Sequence, residues 1–106
     1  MNDRPEPTTA RQWLLERTAR GPTALRERVL EHAEAVTEGG SLPDHLALAA
    51  ERVLAIVEEH PGDRSIALDL LAADALITLA LLAQAETAPA ALGGFAEGLL
   101  AAERSV

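Results

Sequence analysis

At 106 residues the chain makes one domain, and a domain this small buries a modest share of its surface, so a partner is an easy way to gain core. Cysteine is absent, which excludes disulfides, thiol catalysis and thiolate metal sites and fits a reducing, cytoplasmic setting. The formal net charge is −8, with three Arg against ten acids in residues 39–106, and that acidic half repels phosphate backbones and argues against nucleic acid as a partner.

Residues 1–7, MNDRPEP, are polar with two prolines and predict a disordered tail, leaving residues 8–106 as a single helical domain. No charged stretch followed by an apolar run opens the sequence, so no secretory signal is expected. Thr8 or Thr9 can cap a first helix, Ala10 to Arg20, which carries Trp13, Leu14 and Leu15. Gly21-Pro22 ends it and starts the next, so these two helices should lie close together.

From Pro22 to Glu38 the residues Leu25, Val29, His32 and Val36 recur at spacings of four, three and four. Glu27, Glu31, Glu34 and Glu38 recur likewise on the opposite side. That is an amphipathic helix with an acidic stripe toward water. Gly39-Gly40 stops it. Ser41-Leu42-Pro43-Asp44 reads as a capping box, and Leu42, Leu46, Ala49, Val53 and Ile56 then form a heptad-like seam to about Glu59. His60-Pro61-Gly62 terminates this third helix, and Asp63 or Ser65 can cap the next.

Ser65 to Glu86, SIALDLLAADALITLALLAQAE, differs from every other segment. Ile66, Leu70, Ile77 and Leu81 share one face, Leu71 and Leu82 turn away from it, and Leu68 and Leu79 cover the back. A helix that is apolar all round is expected to be enclosed by its own chain, by a second copy or by lipid. It has the roughly 20 residues a membrane span needs. Asp69, Asp74 and Gln84 lie within it, however, and each central carboxylate costs about 2.5–3.5 kcal/mol on insertion scales. A soluble helix is the expectation. Ala72, Ala73, Ala80 and Ala83 give it a small-residue side where a second copy could approach. After Thr87-Ala88-Pro89, a last helix to about Arg104 shows Leu92, Phe95, Leu99 and Ala102 on one side, weakened by Gly93, Gly94 and Gly98. The fold class predicted is all-α: a small four- to five-helix bundle around the helix at 65–86, completed by dimerisation.

Little in the sequence carries chemistry. The residues three before His32, His45 and His60 are Val29, Leu42 and Val57, so the Glu-x-x-His pairs of a di-iron bundle are missing, and no metal site or cofactor is expected. No Gly-x-Ser-x-Gly and no phosphate-cradling glycine loop is present. Asp69 and Asp74 stand about 140° apart round the helix and cannot be a paired-acid site. Asp74 and Thr78 share a face. A buried carboxylate needs a donor or a cation. The expectation for Asp69 is a helix-packing contact with Arg52 or Arg64. For Asp74 it is a buried polar site with Thr78, His32 and Trp13, and with His45 or Arg28 as further donors.

One resemblance bears on Asp74. Residues 51–104 resemble, as a helix pattern, the all-α nucleotide pyrophosphohydrolases of the MazG type. In that family a Glu-x-x-Asp opens an apolar helix and an upstream Glu-Glu-x-x-Glu adds magnesium ligands. Here Leu71-Ala72-Ala73-Asp74 keeps the Asp, and Glu58-Glu59 is followed by His60-Pro61-Gly62 without the third Glu. The resemblance implies a nucleotide-binding helical enzyme with a degenerate metal site around Asp74. The residues themselves favour a different expectation: a small acidic homodimeric interaction protein without its own catalysis. Its arginines (Arg11, Arg17, Arg20, Arg26, Arg28) and its acidic stripe would be the contact faces for another protein.

Overall fold

A computed structural model of the chain describes residues 7–37, 40–60, 62 and 64–105. Residues 1–6 of the tail expected over 1–7, the acidic position Glu38, the stop at Gly39, and Pro61 and Asp63 between the third and fourth helices lie outside the described residues, while Pro7, the last residue of that expected tail, belongs to the first helix. Among those described, five α-helices and no strand are present: α1 (Pro7–Arg17), α2 (Thr23–Ala35), α3 (Leu42–Glu59), α4 (Arg64–Thr87) and α5 (Leu92–Ser105), with a single 3-10 turn at Pro89–Ala91 before α5. The fold is all-α.

The helix ends differ from expectation where side chains close them. Pro7 opens α1, placing Thr8 and Thr9 inside the helix; a fixed φ and a missing N–H suit proline to a first turn. At its other end α1 stops at Arg17, short of Arg20. The Thr18 hydroxyl donates to the Leu14 carbonyl at 2.6 Å, and the Arg26 guanidinium donates to the Leu15 carbonyl at 3.3 Å. The Leu14 carbonyl also accepts the Thr18 N–H at 2.9 Å, and Arg26 takes the Leu15 carbonyl that the next turn would have used. α2 ends at Ala35, where Val36 turns extended. There the imidazole of His45, one turn into α3, donates from Nε2 to the Ala33 carbonyl at 2.7 Å. The Ser41 cap forms as expected, its hydroxyl oxygen accepting the Asp44 N–H at 3.3 Å. Gly62 takes φ +89°, a left-handed conformation that only glycine adopts without strain. Ser65 lies within α4, which starts at Arg64.

α4 is the hub: α3 packs along it most extensively, and α2 and α5 also lie against it. Its buried residues are Asp69, Ala72, Ala73, Leu76, Leu79, Ala80 and Ala83. They share one core with Leu46, Ala49, Ala50 and Val53 of α3 and with Val29, Leu30 and Ala33 of α2. The small-residue side of α4 therefore belongs to the chain's own core. It is the place where α3 and α2 approach, and no face remains there for a second copy. α5 folds back onto α4 and α3, with Leu99 buried and Leu92 and Phe95 half-buried.

The single chain leaves two apolar stretches uncovered. Ile56, the last residue of the α3 seam, is 39 % exposed. More consequentially, α4 is not covered all round: Leu70 is 45 %, Leu71 54 % and Leu82 40 % exposed. Four other helices do not surround a rod of 24 residues. α4 is also long and apolar enough to cross a membrane by length and composition alone.

Candidate functional site

Each polar residue singled out from the sequence has a definite place, and the expected grouping is redistributed. The buried carboxylate is Asp69, only 5 % exposed. Its Oδ1 accepts from the Arg28 guanidinium at 3.0 Å and from His32 Nε2 at 2.9 Å. A carboxylate oxygen only accepts, so Nε2 carries the proton in this contact. Arg28 and His32 are four residues apart and stand one turn above the other on α2. Both reach the first third of α4. Arg52 and Arg64, the donors expected for Asp69, are exposed and take no part.

Asp74 is exposed, and so is Thr78, whose hydroxyl donates to the Asp74 backbone carbonyl at 3.1 Å rather than to its carboxylate. The buried polar site expected around Asp74 is corrected accordingly. His32 went to Asp69 instead. His45 went to the end of α2. Trp13 went to Glu86, where its indole N–H donates to Oε2 at 3.2 Å.

That last contact belongs to a second cluster. Arg17 donates to the other oxygen of Glu86 and sets its guanidinium 5.1 Å from the Trp13 ring centre. The cluster ties α1 to the last turn of α4. The Arg17 hydrogen bond holds the Glu86 carboxyl below its ordinary value. Some desolvation works the other way, and the Arg17 charge and the Trp13 N–H add to the lowering.

Comparison of the chain with protein-family models, with curated proteins and with solved structures finds no match. The residues must speak for themselves.

Chemically, both clusters read as clamps. The Asp69 oxygen that meets Arg28 and His32 already holds two donors, and hydrogen bonds to a charged group contribute a net of about 1.5–3 kcal/mol each. Every buried side-chain nitrogen or oxygen among the described residues has a partner. Among the same residues, no group of three His, Asp or Glu stands close enough to hold a metal ion.

What sets this surface apart is the uncovered side of α4. Ala67, Leu71, Asp74, Thr78, Leu81 and Ala85 follow one another at spacings of four, three, four, three and four, with Leu70 and Leu82 on its flanks. All eight are exposed or half-buried. It is a second heptad-like seam, opposite the buried one of Asp69, Ala73, Leu76, Ala80 and Ala83. The sequence signal was available: Asp69 lies in register with the alanines that mark close helix approach, and Asp74 with the leucines that do not.

Proposed function

We propose that this protein is a small, soluble, acidic interaction module that works as a homodimer, joined through the central helix and without catalysis of its own. The observation that supports this reading is the uncovered apolar face of α4. Leu70, Leu71 and Leu82, each at least 40 % exposed, make α4 the helix with the most exposed leucine among the described residues, beside Leu100 of α5 at 50 % and Ile56 of α3 at 39 %. Contiguous apolar surface of this kind on a soluble domain is characteristic of association. Small size supports the same reading, because a second chain extends a core that one chain cannot close. On the surface of α2 Glu34 is paired with Arg11 and Glu31 lies 3.9 Å from Arg28, so exposed Glu27 and the outer sides of these pairs are what that face offers a further partner carrying positive charge.

Sedimentation velocity over a micromolar range tests the reading. The expected result is a species of twice the 11.2 kDa chain mass that dissociates on dilution. A single species of the chain's own mass at every concentration would contradict it.

A further inference from the structure

The uncovered seam of α4 has an order that bears on how a second copy would sit, and this step rests on the homodimer reading above. Counted outward from the level of Leu76, the exposed positions mirror each other. Asp74 and Thr78 are two residues either side, Leu71 and Leu81 five, Leu70 and Leu82 six, and Ala67 and Ala85 nine. The row is a palindrome of residue types except at its centre, where an acceptor mirrors a donor.

The geometry points to an antiparallel pairing of α4 with α4 of a second copy, about a two-fold axis at the level of Leu76. A two-fold interface is self-complementary, so residue i meets residue j while j meets i. In this register Leu71 lies level with the partner's Leu81 and Ala67 with the partner's Ala85, side by side across the seam, while Leu70 and Leu82, about 120° apart round the helix, line its opposite edges. Close approach is thereby allowed at the ends and leucine fills the interior. The spacings of three and four are those that let two helices interlock side by side.

The centre decides the direction. A parallel pairing in register would set Asp74 against the partner's Asp74, two like charges facing each other inside an apolar seam, which is costly. The antiparallel pairing sets each Asp74 carboxylate beside the partner's Thr78 and offsets the two carboxylates by about 6 Å along the seam instead of setting them level. That hydroxyl now donates to the Asp74 carbonyl of its own chain. Rotation about its C–O bond re-aims it at the partner's carboxylate, giving two equivalent hydrogen bonds across the axis. The exposed aspartate thus acts as a direction-setting residue: tolerable against Thr78 and repulsive against itself.

The chain has no cysteine, so a single spin label can be placed at will. In Arg64→Cys, labelled at an exposed position twelve residues from the axis, the two labels of an antiparallel dimer lie about 36 Å apart along the helix. In a parallel dimer they lie within about 15 Å, close to the spacing of two packed helices. Thr78→Asp would place like charges opposite each other twice per dimer and should weaken association about tenfold or more. Leu71→Asp, half exposed in the single chain, should abolish the dimer while its circular dichroism stays helical.

A dimer with the long label distance and both losses supports the pairing. A dimer with the short distance, or one indifferent to Thr78→Asp, overturns the pairing and leaves the homodimer reading standing, whereas a dimer indifferent to Leu71→Asp overturns both, because its seam is not this face of α4. A monomer under all conditions overturns both. Co-flotation with phosphatidylcholine vesicles that requires Leu71 and replaces the dimer would overturn both as well, by giving the face to lipid.

Discussion

Removing the Asp69 carboxylate leaves Arg28 and His32 directed at an apolar wall. Because Arg28 reaches partly into solvent, we expect Asp69→Ala to cost about 1–3 kcal/mol, below the toll of stranding a fully buried charge. Urea unfolding would show this as a lower midpoint at unchanged slope. A double-mutant cycle with Arg28→Ala should return a coupling of about 0.5–3 kcal/mol, and additivity would show that the two groups do not cooperate. Glu86 makes a pH-dependent prediction. Its carboxyl is held below the ordinary value in the folded chain, so its contribution is complete above the unfolded value and is lost as pH falls through the folded one. The stability gap between wild type and Glu86→Gln should therefore be constant near neutrality and close as pH falls below the ordinary glutamate value of 4.5. A gap that widened on acidification would reverse the assigned sign. At this scale the sequence is a partial guide. It shows that Asp69 and Asp74 stand on different faces of one helix. Which of them is buried depends on the side from which α2 and α3 approach, and that is a long-range matter.

At the scale of elements, α5 holds the clearest lever. Gly98 sits in the middle of the helix, and a methyl group added there meets nothing within 4 Å. Gly98→Ala should therefore gain the helix propensity that glycine lacks, about 1 kcal/mol, seen as a raised melting temperature. Gly62→Ala should do the opposite, since its φ of +89° strains any side chain. Leu76 is fully enclosed, and Leu76→Asp should unfold the chain by burying an unpaired charge. Most of the element pattern was readable, because caps and breakers are local. Ser41 with Asp44 works as its chemistry dictates, while α1 stops three residues short of Gly21-Pro22 and Pro22 precedes the first turn of α2. Ends set by tertiary donors were not readable. α2 stops where the His45 imidazole meets Ala33, and nothing within α2 itself announces that contact. The hydrophobic count of α4 likewise gave its central place correctly, but not which side its own chain would cover. Alanine marks where neighbouring helices come close, and leucine by itself does not say which side is covered.

For the whole molecule, two acidic chains must meet across a face that is almost uncharged. Each carries a formal −8, so the pair repels at long range while the seam itself holds only Asp74 as a charge. Added salt screens that repulsion. Association should therefore tighten between about 20 mM and 200 mM salt, the reverse of an interface held by opposite charges. A dissociation constant that rose with salt would show that ion pairs, absent from this face, dominate. The central claim is that a second copy covers Leu70, Leu71 and Leu82. Sedimentation equilibrium of the wild-type chain beside Leu71→Asp tests it most directly. The account predicts a reversible dimer for the wild type and an 11.2 kDa monomer of undiminished helicity for the variant. Equal masses for the two proteins would contradict it.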